Sequence, residues 1–289
     1  MPLLSVIMAS KNENILYLEK CIDSILNQTF NDYNFYIITE ETDSNYKYFN
    51  DLTSKYRKIK LLNNLKHPGV STARNLGIQN SQSKYIAIID SDDYYDATKF
   101  EKQVEFLEKN DQISLVGSNI LLVDSKDNII GERLYPQNPD KIRKQFLYEM
   151  SVANPSIVVR RQDIDEVGLF DKNFNKAEDF ELWLRFLASN KKLFNLQESL
   201  VYYRTTPDAN QKRGRTHYKN YYFALKRHGK FIWPLAIRVI PISVFFIIQL
   251  MPNKLLSILL NMKIVHAIKG INIKVKKRNH DYFKNSIQG

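Results

Sequence analysis

Three carboxylates fall within four residues at Asp90-Ser91-Asp92-Asp93, directly after the apolar run Tyr85 to Ile89. The run is short, rich in β-branched side chains and bounded by polar residues. That suits a strand buried on both faces of a parallel sheet. Such a strand carries its last residues to the carboxyl edge of the sheet, where open α/β sheets bind ligands. Carboxylates gathered there repel one another, so a cation is their natural partner. Oxygen-only ligands favour a hard ion, Mg²⁺ or Mn²⁺, with positions left open for substrate phosphates. Asp and Ser are also common in plain turns, so the motif alone leaves a polar strand-to-helix turn open. The flanking sequence moves the balance toward chemistry.

A second acidic pair, Glu178-Asp179, stands before Phe180, Trp183, Leu184 and Leu187. That i, i+3, i+4, i+7 stripe marks an amphipathic helix. A carboxylate at a helix start is ordinary N-terminal capping. That place in a helix also favours the ionised form of a carboxylate.

The elements that must position these groups read as alternating strands and helices. Strands are expected at Leu3–Met8, Phe35–Ile38, Ile59–Leu62 and Tyr85–Ile89. Helices are expected where Leu18, Ile22, Ile25 and Leu26 share a face, and over Leu52–Tyr56, Ser71–Gln79 and Thr98–Lys109. This alternation implies a mostly parallel sheet flanked by helices. His67-Pro68-Gly69 breaks the chain before the third helix. After Ser114 the pattern changes. Leu115–Val123 and Ile129–Leu134 flank a turn at Ser125-Lys126-Asp127-Asn128 and read as a hairpin. Asp140–Glu149 reads as a helix, Ser156–Arg160 as a strand, Arg161–Val167 as a short helix and Leu200–Arg204 as the last strand of the body.

The chain has 289 residues, 44% hydrophobic and 25% charged, which fits one large domain or one domain with an appendage. Its single cysteine, Cys21, excludes an internal disulfide framework and sits among Leu18, Ile22 and Ile25 as a buried structural thiol. No Cys/His zinc spacing occurs. Residues 1–15 reach Ser10-Lys11-Asn12-Glu13 too soon for a signal peptide, so a reducing cytoplasmic location is expected. The net charge of +11 is uneven. Residues 205–289 hold 16 of the 42 Lys and Arg but 2 of the 31 Asp and Glu, for +14 against −3 in residues 1–204. Such asymmetry points to an anionic surface as partner.

Five ordered segments complete a pattern: LSVIMASKNE with the later SILNQTF, then GVSTARNLGI, YIAIIDSDD, GLFDKNF and AEDFELWLR. Together they resemble glycosyltransferase family 2, inverting nucleotide-sugar enzymes of the GT-A fold. The match spans about residues 3–205. It implies a nucleotide-binding half, residues 1–114, and an acceptor-binding half, residues 115–205. It implies Asp92 as ligand of the metal that bridges the diphosphate, Asp90 near the ribose, and Asp179 as catalytic base. Ala9, Lys11, Glu40, Arg74 and Ser91 fall on segments that line the family's nucleotide-sugar site. Asp93 adds field or holds a metal-bound water, and Glu178 is the helper or cap. For Arg74 the alternative is a plain helix-surface ion pair. The chain departs from the family where Lys11 replaces a base-stacking aromatic, where Thr39-Glu40 replaces Asp-Asp, and where Thr206 replaces a His. These changes leave the reaction class standing and loosen the assignment of uridine as the base.

Residues 206–289 form a basic, apolar, helical extension. Lys212, Arg213, Arg215, Lys226, Arg227 and Lys230 are interleaved with Tyr218, Tyr221, Tyr222 and Phe223. Val239–Met251 is almost continuously apolar but shorter than the ~20 residues of a membrane span, and Pro241 and Pro252 interrupt it. Leu255, Leu256, Leu259 and Leu260 suggest a second apolar face, and Lys274, Lys276, Lys277 and Arg278 suit anionic headgroups. The alternative is that these helices pack on the body. No nucleic-acid motif accompanies the basic residues.

The reading is therefore an inverting transferase using a nucleotide diphosphate sugar, first of all a UDP-sugar, with Mn²⁺ or Mg²⁺. It would act on a saccharide or lipid-linked acceptor in capsule, O-antigen or lipooligosaccharide assembly, at the inner face of a bacterial membrane. A nucleotidyltransferase is the rival enzyme, but Ala9 to Glu13 holds no glycine for a phosphate loop. A non-catalytic membrane-bound assembly partner keeping the fold is the rival from another class.

Overall fold

The computed structural model describes residues 1–64, 69–174, 176–205, 209–252, 255 and 271–272, without the side chains of 209–214 and 271–272. The sequence-predicted features at His67-Pro68, Thr206, Lys212-Arg213, Leu256–Leu260 and Lys274–Arg278 lie outside the described residues or side chains.

The first half runs β1 (Leu4–Ala9), α1 (Ile15–Leu26), β2 (Tyr33–Thr39), α2 (Tyr46–Lys55), β3 (Ile59–Asn63), α3 (Val70–Gln79), β4 (Tyr85–Asp90), β5 (Tyr94–Tyr95) and α4 (Lys99–Lys109). The second half follows with β6 (Leu115–Val123), β7 (Ile129–Arg133), α5 (Pro139–Gln145), β8 (Val158–Arg160), α6 (Arg161–Val167), α7 (Glu178–Ala188) and β9 (Leu193–Arg204). Then come α8 (Ala209–His228), α9 (Leu235–Leu250) and β10 (Ile271–Asn272). One sheet joins both halves in the order β10-β7-β6-β8-β4-β1-β2-β3, with β9 paired to β6 and β5 to β9.

The expectation of a mostly parallel sheet holds for β4-β1-β2-β3, all parallel neighbours. In the second half β7 runs antiparallel to β6, as the expected hairpin requires, β8 runs antiparallel to both β4 and β6, and β9 is parallel to β6. A crossover helix returns each early strand to the same direction, whereas the 124–128 turn simply reverses the chain. Alternate residues of each strand feed two cores, as a pleated strand requires. Val6, Met8 and Phe35 pack beneath α1, α2 and α4 with Leu18, Phe49 and Phe100. Ile7, Ile38 and Ile88 pack beneath α3, α5, α6 and α7 with Ala73, Ile142, Ile164 and Trp183. Gly77 sets the closeness of α3. A Cβ there would lie 2.7 Å from Ile38 Cδ1 and 2.8 Å from Ile7 Cγ2. Cys21 is buried and free, as expected.

Several boundaries differ from the sequence reading. The helix expected to reach Glu149 ends at Gln145, and the strand expected from Ser156 starts at Val158 after a 3-10 turn over Asn154–Ser156. The last strand starts at Leu193 rather than Leu200, because its first residues pair in parallel with Leu115 to Ser118 of β6.

The region after residue 205 is partly built into the body. Tyr221 of α8 stacks on Phe180 of α7 with ring centroids 3.8 Å apart, and buried His228 Nε2 lies 2.8 Å from Glu181 Oε1. Tyr218, Ala224, Leu225 and Trp233 join the same core as Trp183. Helix α9 packs on α8 through Phe245, whose ring lies 5.5 Å from that of Tyr221. Pro241 does not interrupt α9 as expected. The helix runs through it, and Pro241 is buried. Among the described residues no helix is long and apolar enough to cross a membrane.

Candidate active site

Register places the chemistry. Ala9, the last residue of β1, is paired with both Ile38 of β2 and Asp90 of β4, and Thr39 with Asn63. All four parallel strands therefore end at one level, and their loops form one edge. A cavity of about 210 Å³ opens there, lined by Ala9, Ser10, Lys11, Thr39, Glu40 and the start of α3 at Gly69 and Val70. Gly69 takes φ 133°, a value side chains resist, and so turns the chain into α3 at the cavity wall. Lys11 Nζ sits 2.9 and 3.1 Å from the two carboxylate oxygens of Glu40. Predicted site residues Ala9, Lys11 and Glu40 thus share one cavity. A larger hollow of about 670 Å³ lies over α2 and β3 near Tyr46, Arg57 and Lys60, away from the carboxylates.

The β4 loop is held from below. Tyr95 Oη accepts from Asp90 N at 2.9 Å and donates to Asp90 O at 3.2 Å. Asp92 is partly exposed, and its carboxyl is pushed up to about 7 by burial and then by the charges of Asp90 and Glu13. Glu13 closes the same corner, with Ser91 Oγ 3.5 Å from its Oε2. Asp93 is buried at 1% exposure and does not face the edge. Its Oδ1 accepts from Arg204 N at 2.8 Å, which ties the β4 loop to the end of β9.

Arg74 is the centre of the site. It is 5% exposed, and Nη2 donates to Asp90 Oδ1 at 2.8 Å while Nη1 donates to Glu178 Oε1 at 2.7 Å. The ion pair foreseen as the alternative for Arg74 exists, but it is buried between two site carboxylates rather than on a helix surface. It joins the carboxyl edge of the sheet to the start of helix α7. The residue before that helix, Ala177, takes φ 59° and ψ 30°, left-handed backbone that costs a non-glycine residue ~1–2 kcal/mol. The strain turns Glu178 and Asp179 toward Arg74.

Asp179 is partly exposed, and its Oδ1 accepts from Phe180 N at 2.7 Å. Its carboxyl is pushed up to about 7, by burial first and by Glu178 next, with Arg74 pulling the other way. The helix start was expected to keep this group ionised. Burial and the neighbouring carboxylate outweigh it. A carboxyl poised near neutral pH is matched to general-base work at that pH.

Asp90 is paired with Arg74, while Asp92 and Glu13 have no cationic side chain bonded to them among the described residues, and Asp92 is raised by burial and by its neighbours' charge; oxygen donors of this kind suit a hard cation. Among the described residues no group of three or more His, Cys, Asp or Glu could hold an ion by itself. These residues would fit an ion whose remaining oxygen ligands come from elsewhere than the protein. The sequence reading missed Glu13 and Arg204 as contributors. Glu13 lies inside the ASKNE segment, and Arg204 closes the Tyr202-Tyr203-Arg204 strand end, but neither carries a spacing that predicts its contact.

The sheet, with parallel β4-β1-β2-β3 continued by antiparallel β8, has the GT-A fold of glycosyltransferases. Residues 5–168 match the family description "Glycosyl transferase family 2", and the chain belongs to that family. It is similar to the uncharacterized glycosyltransferase MJ1057 of Methanocaldococcus jannaschii, 29% identical over 91% of this chain and 94% of that one. It is also similar to the O-antigen biosynthesis glycosyltransferase WbnJ of Escherichia coli, 30% identical over 79% of this chain and 89% of the other. Among solved structures the fold matches S. aureus TarS in complex with UDP, with TM-score 0.62, 15% identity and coverage of 91% of this chain and 76% of that one. It matches the mannosyltransferase PcManGT of Pyrobaculum calidifontis, solved with GDP-Man and Mn²⁺, with TM-score 0.63, 12% identity and coverage of 89% and 72%.

Proposed function

We propose that this glycosyltransferase moves a sugar, with inversion at the anomeric carbon, from a nucleoside diphosphate sugar to a saccharide or lipid-linked acceptor in bacterial surface polysaccharide or lipooligosaccharide assembly. The observation that carries the reading is the Arg74 bridge, which ties Asp90 on the donor edge to Glu178 beside Asp179. It sets a candidate donor ligand and the neighbour of a candidate base on either side of one guanidinium. The base of the nucleotide would lie in the cavity of Lys11 and Glu40, with uridine the first candidate. Ala9 and Ser91 would line the donor's path to the reacting end. Asp179 would take the proton from the acceptor hydroxyl as that oxygen attacks opposite the leaving diphosphate. Asp92 would hold Mn²⁺ or Mg²⁺, which when bound neutralises charge on the leaving diphosphate. Relatives support the substrate class in their own names. One from Escherichia coli, 30% identical over 65% of this chain, is a UDP-Glc:alpha-D-GlcNAc-diphosphoundecaprenol beta-1,3-glucosyltransferase.

The test is a screen of UDP- and GDP-sugars for hydrolysis without acceptor, with Mn²⁺ or with excess EDTA. Release of nucleoside diphosphate that needs Mn²⁺ and disappears in Asp92→Asn supports the reading. Equal release in EDTA removes the metal from it.

We also propose that the enzyme works as a peripheral protein on the anionic inner face of the cell membrane. The support is α9, which packs one side on α8 and leaves Ile237, Ile240, Val244 and Ile247 exposed along the other.

A further inference from the structure

Arg204 ends β9 in the second half of the chain, yet its contacts reach into both halves. Its side chain is 2% exposed. Nε donates to the carbonyl of Asp92 at 3.0 Å, and its backbone N–H donates to Asp93 Oδ1 at 2.8 Å. Nη1 donates to Asp124 O at 2.9 Å and Nη2 to Asp127 Oδ1 at 2.7 Å, both in the β6–β7 turn. The guanidinium lies 3.8 Å over the ring of Tyr17 on α1, whose hydroxyl is 3.4 Å from Ser125 O. Lys20, one turn further along α1, pairs with Asp127 at 2.8 Å. One planar fork thus fastens three separate pieces of chain: the acidic β4 loop, the β6–β7 turn and the first turns of α1.

We infer that Arg204 is a positioning residue for the candidate metal ligand Asp92. A carbonyl fixes the peptide plane that follows it, so holding Asp92 O sets the backbone angles from which the Asp92 carboxylate projects. The next residue is fixed as well, through Asp93 Oδ1. Both grips come from one residue, so the loop cannot rotate about Asp92 without breaking them. The grip works against the mutual repulsion of Asp90, Asp92 and Glu13, which tends to splay the loop. A lysine keeps the charge but cannot span Asp92 O, Asp124 O and Asp127 together. The inference rests on the proposed metal-assisted reading of this site.

The experiment measures binding, not turnover. UDP and GDP are titrated calorimetrically into the full chain with and without Mn²⁺, and the ratio of the two affinities is the metal-linked gain. Arg204→Lys should leave the metal-free affinity within about twofold and cut the gain at least tenfold. Asp127→Asn loosens the fork from its far end, away from the site, and should cut the gain two- to fivefold. It serves as the second variant should Arg204→Lys fold poorly. A gain unchanged in whichever variant keeps the wild-type circular dichroism spectrum overturns the inference, whatever happens to the melting temperature. If the wild-type chain shows no gain with either nucleotide, the metal reading itself fails and takes this inference with it.

Discussion

Arg74 and Glu178 are 104 positions apart in the chain, and their Nη1 and Oε1 atoms stand 2.7 Å apart in a nearly dry setting. The same guanidinium holds Asp90, so one side chain sets the spacing between the end of β4 and the start of α7. Breaking a buried pair by removing one member costs ~3–5 kcal/mol, because the partner's charge is left uncompensated. Arg74→Met should therefore lower the melting temperature sharply and weaken both nucleotide binding and turnover. Adding Glu178→Gln removes one stranded charge and should recover part of the loss. A thermal-melt double-mutant cycle checks this. Strictly additive effects would mean that the pair is not coupled.

Asp179 follows Glu178 on the same strained helix start, and its role separates from that of a cap by kinetics. Asp179→Asn keeps the acceptor for Phe180 N and loses the ability to take a proton. Turnover should fall by at least ~10² while nucleotide affinity holds. If affinity collapses and turnover of bound donor is unchanged, Asp179 is a donor ligand instead.

The two raised carboxyls give activity and stability opposite responses to pH. Asp179 and Asp92 each lie at about 7 in the fold, against 3.8 ordinarily. The fold therefore favours their protonated forms. Their contribution to stability is full below about pH 4 and is lost as pH rises through about 7. A base must be ionised, so turnover should rise over the upper part of that window. Asp179→Asn should be the more heat-stable protein at pH 8, by an order of 1–3 kcal/mol, with the difference shrinking toward pH 5. Melts at both pH values measure it. A variant less stable than wild type at pH 8 would falsify the burial account of Asp179.

The sequence made some of this plain for physical reasons. Tyr85–Asp90 was readable because a doubly buried strand must be apolar and its acidic end abrupt. Helix α7 was readable because its stripe repeats at the helical period. The Arg74 bridge was not, because a contact between positions 104 apart leaves no mark on local pattern. Strand β5 has two residues and no period to detect. The start of β9 was missed because Leu193 to Gln197 mixes polar and apolar residues, as a strand with a partly open face does. Helix α8 shows the limit of charge counting. Its Lys and Arg pointed to an anionic surface, while its buried Tyr218, Tyr221 and His228 tie it to α7, as the alternative of packing on the body expected.

The exposed side of α9 yields the last prediction. Ile237, Ile240, Val244 and Ile247 recur at helical spacing with exposures of 47, 63, 45 and 55%, and Leu250 extends the stripe. At 1.5 Å per residue, 16 residues reach about 24 Å, short of the ~30 Å hydrocarbon core. The helix is therefore suited to lie in the interface rather than cross it. Exposed Arg215, Lys219, Lys226, Arg227 and Lys230 accompany it on α8 and in the turn that follows, and residues 215–250 contain no Asp or Glu. Two copies packed face to face about this helix would bring those basic groups together, whereas anionic headgroups would neutralise them, each worth roughly 1 kcal/mol near the surface. The full chain should cosediment with vesicles containing phosphatidylglycerol and remain largely in the supernatant with pure phosphatidylcholine. Ile240→Glu with Ile247→Glu should abolish retention without changing hydrolysis of soluble donor, because both side chains point away from the body. Lys219→Glu with Lys226→Glu should slow capture most at low salt. Vesicle binding that survives the glutamate pair would exclude α9 as the docking face, and concentration-dependent dimers lost in that pair would assign the stripe to a second copy of the chain.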